Sequence, residues 1–288
     1  MQNFVILTDS SCDMTPEMVE KTGVKILPLS FLLDGRSYKN SPEGSDIAFD
    51  VFYSMLRDKK EIKTSAVNQE AFRVVMETEL KAGHDLLYIG FSSALSATFT
   101  AGALMAKQLS EQYPERKIYT VDSLCASLGQ GLLVYLCSKL RDEGKSIEEV
   151  RDYAEKIKGK VCHQFTVDDL MFLKRGGRVS ATTAVVGSML SIKPVLHMND
   201  EGKLINIGKT RGRKSSIIAL FDKMKATYTA QIKDVFISHG DCIEDAQYLA
   251  SLIKEEFGIE AIIGYVGPVI GAHSGPGTLA LFYIGTER

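Results

Sequence analysis

The chain has 288 residues, of which 45% are hydrophobic and 24% are charged, and its formal net charge is −2. This composition predicts a folded globular protein rather than a disordered one. The absence of a basic excess argues against a nucleic-acid-binding protein. No apolar run reaches the ~18 residues that a membrane-spanning helix needs.

The five cysteines and five histidines are scattered along the chain. No C-x-x-C spacing occurs and the cysteine number is odd, so we expect neither a disulfide framework nor a structural zinc site. No two histidines have a metal-binding spacing, so no metal site is expected. The first residues lack the basic region of a signal peptide. Together these features predict a cytoplasmic protein with reduced thiols.

The first part of the chain alternates short apolar strands with helices. Thr15, Pro16 and Gly23 predict the start and the end of its first helix. The other predicted helices lie at 46–57, 69–82, 97–112 and 125–142, and the predicted strands at 4–8, 24–33, 85–90 and 117–121. Strands that alternate with helices indicate crossover connections and a largely parallel sheet.

The second part begins after a charged helix at about 146–158 and contains a hairpin signal. A turn at 199–202 separates strands predicted at 192–197 and 203–207, which favours a mixed or antiparallel sheet. Helices are predicted at 180–190, 212–228 and 243–257, a glycine-rich loop at 271–277, and strands at 234–239, at 259–266 and through 284. The fold class is therefore α/β with two lobes: residues 1–160 around a mainly parallel sheet and 161–288 around a mixed sheet.

Serines follow the predicted strand at 85–90, where a helix then begins. Ligands bind at this edge of open α/β sheets, and a helix N-terminus favours an anion. Ser93 or Ser96 could equally well cap the helix without binding anything. Residues 90–94 also come close to the G-x-S-x-G motif of hydrolases, which gives an alternative function: a serine esterase with Ser92 as nucleophile, Asp122 and a later histidine.

Basic residues are concentrated after the hairpin turn, at Lys209, Arg211 and Arg213. They lie in a chain that is acidic overall. They could belong to a solvated turn and a first helical turn, or they could form a docking patch for an acidic partner or a phosphate. We favour docking.

Several segments, in this order, make the sequence resemble the DegV family, which includes the fatty-acid-binding subunits of bacterial fatty acid kinase. The matching stretches are VILTDSSCD at 5–13, Thr64-Ser65, FSSALSATF at 91–99, VDS at 121–123, DDLMFLKRGGRVS at 168–180, SIKPVL at 191–196 and GAHSGPG at 271–277. They cover nearly the whole chain.

The resemblance implies a long-chain fatty acid buried between the lobes and no activity of the chain alone. It implies that Thr64 and Ser93 hold the carboxylate with His273 nearby, and we add Ser65, Ser92 and Ser96 as candidate ligand-binding residues. A partner kinase, engaged through the region of Arg211, would supply ATP and metal. The bound acid would leave as acyl phosphate for phospholipid synthesis, which implies a transient approach to a membrane.

This chain differs from the family pattern near the expected carboxylate site. Ala66-Val67 replaces Gln-Pro after Thr64-Ser65, and Ala94 and Ala97 replace glycines in the serine loop. Alanine would be strained there if the backbone had positive φ. No lysine or arginine lies in these two segments, which predicts a carboxylate held by hydroxyl groups.

Overall fold

The computed structural model describes residues 4–42, 46–179 and 191–288. The described strands are β1 (Phe4–Asp9), β2 (Lys25–Leu27), β3 (Leu29–Leu33), β4 (Arg36–Asn40), β5 (Ile62–Ser65), β6 (Asp85–Gly90), β7 (Ile118–Asp122), β8 (Val161–Thr166), β9 (Ile192–Met198), β10 (Leu204–Arg211), β11 (Phe236–His239), β12 (Ile262–Tyr265) and β13 (Leu279–Ile284). The described α-helices are α1 (Pro16–Thr22), α2 (Phe49–Arg57), α3 (Gln69–Lys81), α4 (Thr98–Gln112), α5 (Leu128–Asp142), α6 (Ile147–Ile157), α7 (Met171–Arg175), α8 (Arg213–Thr227), α9 (Ile243–Phe257) and α10 (Pro268–Ser274). The helix predicted at 180–190 lies outside the described residues.

The first sheet contains four parallel strands in the order β2-β1-β6-β7. Its strands are apolar on both faces because helices cover both sides. On one face Leu7 and Tyr88 pack with α3 and α4. On the other face Ile6 and Ile89 pack with α5. The predicted parallel sheet is confirmed.

The second sheet has six strands in the order β10-β9-β8-β13-β11-β12. Only β11 and β12 pair in parallel; the other pairs are antiparallel. The predicted mixed sheet and its hairpin are therefore confirmed. Helices α8 and α9 pack on one face, where they bury Ile217, Leu220 and Leu249.

Helix α5 lies between the two sheets. Its residues 128–138 are all buried, as expected for a helix that is apolar on every side. Leu132 and Leu133 belong to the same core as Ile6 of the first sheet and Phe282 of the second. The two predicted lobes thus share one continuous hydrophobic core, and a division at residue 160 stays a prediction.

The sequence analysis missed a third, antiparallel sheet with the order β4-β3-β5. The strand predicted at 24–33 is two strands, β2 and β3, separated at Pro28, which has no backbone N–H for a sheet. Strand β4 is mostly exposed and lacks an apolar pattern. The sheet packs against α2 and α10 through Phe31, Phe52 and Val266.

Candidate functional site

A cavity of about 320 Å³ lies between the first and second sheets and extends to β5 and α10. This volume is at the lower end of the range for small-molecule sites, about 300–1,000 Å³. Much of its wall is apolar. The apolar lining residues are Leu29, Phe91, Leu95, Phe165, Leu173, Met198, Leu204, Val266, Val269, Ile270, Ala280 and Phe282.

One part of the cavity wall is polar, and we call it the His273 cluster: Thr64, Ser65, Ser96, Arg178 and His273. Thr64 and Ser65 end strand β5, and His273 lies in the last turn of α10. The hydroxyl Oγ1 of Thr64 is 2.7 Å from Nε2 of His273. Four residues predicted from the sequence therefore lie on one cavity, although up to 209 positions separate them along the chain.

Burial and, to a smaller extent, the positive charge of Arg178 together lower the pKa of His273 to about 4. The imidazole is thus neutral at pH 7, with one nitrogen donating and the other accepting. The ring also packs closely against Gly176, where a Cβ atom would lie 2.3 Å from Nδ1 of His273. Glycine at 176 is required because any side chain would displace this ring.

Arg178 adds a cation to the cavity wall, which the sequence-based expectation of a carboxylate held by hydroxyl groups did not include. Its guanidinium donates to the carbonyl of Gly176 and it lines the cavity. Burial lowers its pKa, yet the group stays positively charged at pH 7. Within 4–42, 46–179 and 191–288, no carboxylate forms a salt bridge with Arg178. The segment KRGGRVS had been noted in the sequence, but nothing in it indicated a place beside Thr64.

The three serines that follow β6 have different environments. Ser96 lines the cavity, and its Oγ accepts from the backbone N–H of Thr98 at the start of α4. Ser93 is exposed, lies away from the cavity lining, and its N–H donates to Asp122. The prediction that Ser93 holds a carboxylate therefore receives no support from the geometry, whereas Ser96 is well placed.

Ser92 is fully buried, and its hydroxyl donates to the carbonyl of Gly202 at 2.9 Å. The main chain of the β9–β10 turn lies directly against this hydroxyl, since a Cβ atom added at residue 202 would lie 2.3 Å from it. Every hydrogen bond described for a histidine goes to a group other than Ser92. The geometry therefore gives no support to the esterase alternative or to the ligand-binding role of Ser92, whose hydroxyl joins the β9–β10 turn to the first sheet.

The substitutions to alanine in the serine loop cause no backbone strain. Ala97 has φ −73° and Ala94 is not among the residues with positive φ.

The glycines of 271–277 have a structural explanation as well. Gly275 and Gly277 have φ +82° and +74°, and they pack against the side chains of Phe172 and Asp168 rather than against the cavity alone. Part of this predicted loop is helix α10.

The predicted docking residues divide into two groups. Lys209 and Arg211 are exposed on the edge strand β10. Arg213 is half-buried and donates to Asp245 at 2.8 Å. Since its charge is already paired, Arg213 is a poorer docking residue than the sequence indicated.

The described part of the chain contains no cluster of histidine, cysteine or acidic side chains that could hold a metal ion. Within it, no helix is long and apolar enough to cross a bilayer. The chemistry that the cavity offers is the binding of an elongated apolar molecule with an acceptor group at one end. Thr64, Ser96 and Arg178 would face that group.

Comparison with known proteins identifies the family. Residues 3–286 match the model described as an uncharacterised protein of the DegV family. A DegV domain-containing protein of Clostridium perfringens is 43% identical over 100% of this chain and 99% of its own length. The chain belongs to the DegV family.

Solved DegV structures share the fold. A DegV family protein from Thermus thermophilus, whose structure is described as fatty acid binding, is 28% identical with a TM-score of 0.86, covering 98% of this chain and 99% of that one. The fatty acid kinase B3 protein of Streptococcus pneumoniae, loaded with linoleic acid, has a TM-score of 0.85 over 98% and 99% of the two chains. At 21% identity the latter likeness concerns the fold alone.

Proposed function

We propose that this DegV chain binds a long-chain fatty acid in the cavity and presents its carboxylate to a partner kinase. The observation that carries the proposal is the Thr64–His273 pair on the wall of an otherwise largely apolar cavity. A buried chain of about fifteen methylenes would contribute on the order of 12 kcal/mol before ordering costs. The tail therefore supplies most of the affinity.

The carboxylate would select one arrangement of protons in the His273 cluster. When Nε2 of His273 carries the hydrogen, it donates to Oγ1 of Thr64, and the Thr64 hydroxyl is free to donate to the acid. With the other tautomer, the Thr64 hydrogen points to the imidazole and is lost to the ligand. A neutral imidazole also spares the site a second positive charge beside Arg178.

The charge of the acid would be balanced in part by Arg178. Without a cation or several donors, a buried carboxylate would cost several kcal/mol. Ser65, Ala66 and Ala97 line the same end of the cavity and are exposed. The carboxylate end would thus be accessible from outside, as phosphoryl transfer by a second protein requires. Such transfer depends mainly on positioning and charge neutralisation, which the kinase completes with ATP and metal.

The first test is organic extraction of the freshly purified protein followed by mass spectrometry. We expect about one equivalent of fatty acid, and no acyl phosphate until ATP, metal and a fatty acid kinase are added. The proposal would be overturned if the purified protein contained no fatty acid and also bound none when it was added. A protein that binds the acid but never yields acyl phosphate with any such kinase would remove only the kinase step.

Kinase docking is a separate part of the proposal, and it involves Lys209 and Arg211. Arg211→Ala should leave fatty acid retention unchanged and lower turnover with the kinase, and this loss should shrink as salt is raised, because salt screens the surface charges that promote association. Arg213→Ala is the contrasting variant, since it breaks the pair with Asp245. Unchanged turnover in Arg211→Ala at low salt would contradict the docking role.

A further inference from the structure

Four side chains that line the cavity lie in one row across the second sheet. We call them the far row: Leu204, Met198, His163 and Phe282. His163 pairs with Phe282, and Leu204 pairs with Met198. The pairing of Gln164 with His197 brings Met198 beside His163. The far row is therefore continuous over the strands β10, β9, β8 and β13.

The direction of β13 shows that the far row lies away from the His273 cluster. This strand begins beside α10, the helix that contains His273, because Thr278 donates to the carbonyl of Gly275 at 2.8 Å. Phe282 lies four positions further along β13, which places it roughly 13 Å from Thr278. A fatty acid whose carboxylate lies at the His273 cluster would therefore point its methyl end at the far row.

His163 is held in place from several sides. Its Nδ1–H donates to the carbonyl of Val161 at 2.9 Å, and its Nε2 accepts from the N–H of Ala126 at 3.1 Å. Behind the ring lies the backbone of α5, where a Cβ atom added at residue 129 would be 2.2 Å from Nε2. The ring of Phe282 meets the imidazole edge to face, with centroids 5.2 Å apart. The imidazole therefore cannot turn or retreat without losing these contacts.

The imidazole of His163 acts on a ligand through its shape. Both ring nitrogens are bonded within the protein, so they offer no hydrogen bond to the tail. Burial lowers the pKa of His163 well below 6.5, and the ring is neutral at pH 7. The neighbouring Met198 has an unbranched side chain that can adopt other rotamers. Met198 can thus follow the shape of a tail, whereas His163 keeps its position.

We propose that His163 fixes the length of the acyl chain that this protein prefers, as a rigid stop for its methyl end. The inference rests on the proposed fatty acid binding and specifies its substrate class. Below the limit, each added methylene should tighten binding about fourfold, because it covers more apolar surface. Beyond the limit, the tail would have to bend or displace the imidazole from Val161 and Ala126, so the affinity should fall.

The test measures the affinity of the delipidated full-length protein for straight saturated acids from decanoate to eicosanoate, each in competition with a fluorescent fatty acid. The wild type should show a maximum at one chain length. His163→Ala frees the space of about four methylenes. The maximum should then move to acids that are longer by about two to four carbons, and the longest acids should bind about tenfold more tightly than to the wild type.

Two further variants separate a stop from a general effect on the fold. His163→Asn shortens the side chain but keeps a donor for the carbonyl of Val161, so it should show the same shift even if His163→Ala does not fold. Leu95→Ala removes an apolar contact elsewhere on the cavity wall. It should weaken all the acids by a similar factor, about threefold to tenfold, and leave the maximum in place.

Two results would overturn the role of His163. One is a wild-type affinity that keeps rising through the whole series, since no stop would then exist. The other is a maximum that stays at the wild-type length in a folded His163 variant. If the wild type binds none of the acids, the proposed function itself fails.

Discussion

Two polar clusters of this DegV chain differ in how far their hydrogen-bonding groups are satisfied within the protein. The Asp9 cluster, at the end of β1, consists of Thr8, Asp9, Tyr88 and Gln130. Asp9 is fully buried and accepts from Tyr88 and from the backbone of Phe91 and Ser11. Thr8 donates to the carbonyl of Ile89 and accepts from Gln130. The donors and acceptors of Thr8 and Asp9 are thus used within the protein.

The His273 cluster is built differently. Thr64 and His273 bond to each other, but one orientation of their protons leaves the Thr64 hydroxyl free. Arg178 has a positive charge without a carboxylate partner among the described residues. Unused hydrogen-bonding capacity is therefore what sets the His273 cluster apart from the Asp9 cluster. Threonine occurs in both clusters, so this residue type by itself does not tell them apart.

Removing the carboxylate at the centre of the Asp9 cluster should have the largest effect on stability. Asp9→Ala leaves three donors without an acceptor, so we expect a loss of roughly 3 kcal/mol or more in the free energy of unfolding. Asp9→Asn keeps one acceptor oxygen and should cost about 1 kcal/mol. Urea denaturation measures both. If Asp9→Ala were as stable as the wild type but failed to bind fatty acid, Asp9 would belong to the site instead.

The His273 cluster can be disturbed without replacing any of its polar residues. Gly176 has φ −70°, so alanine suits the backbone, but its Cβ would strike the ring of His273. Gly176→Ala should lower the affinity for fatty acid about tenfold and cost about 1–3 kcal/mol of stability through overpacking. In the matched Gly159→Ala, the new methyl meets nothing within 4 Å. Unchanged affinity in Gly176→Ala would show that the position of His273 is unimportant.

The pH dependence of the free energy of unfolding tests the burial of His273. His273 has a pKa of about 4 when folded and about 6.5 when unfolded. The unfolded chain therefore binds more protons between these values, and stability falls as the pH drops from 6.5 towards 4. His273→Gln should remove about 2 kcal/mol of the loss between pH 7.5 and pH 5, as measured by denaturation. Other buried histidines contribute equally to both proteins. An identical pH profile would show that His273 is not desolvated.

The sequence was sufficient for the layered parts of the fold. Strands β1 and β6 are apolar runs, and Thr15, Pro16 and Gly23 determine the limits of α1 through capping contacts. It was insufficient for the third sheet, because β4 has no apolar alternation. Helix α10 was missed because Gly271 and the two glycines that follow the helix were interpreted as a loop. The Gly267-Pro268 pair, with proline at the first helical position, was the available signal.

Part of the site could be predicted only through the family resemblance. Nothing in the local sequence places Thr64 beside His273, since that contact depends on how α10 packs against β5. Arg178 was missed because its charge reaches the cavity from a separate segment of the chain. The sequence could not predict which of the serines after β6 lines the cavity. This depends on the backbone geometry at the start of α4.

The serines after β6 provide the prediction with the smallest expected effect. Within four positions, one serine lines the cavity and another does not. Ser96 lines the cavity, whereas Ser93 is exposed and contributes only its backbone N–H to Asp122. Ser96→Ala should weaken fatty acid binding, or acyl phosphate formation with the kinase, by about threefold to tenfold, as one lost hydrogen bond predicts. Ser93→Ala should change either quantity less than twofold, within the usual range for a surface substitution.

The opposite outcome would be equally informative. If Ser93→Ala impaired turnover and Ser96→Ala did not, the loop would have to rearrange on ligand binding so that Ser93 turned into the cavity. The bond from Ser93 to Asp122 would then break, and Asp122 would keep only its contact with the N–H of Leu124. Asp122→Asn would in that case alter the ligand affinity, although its side chain does not line the cavity.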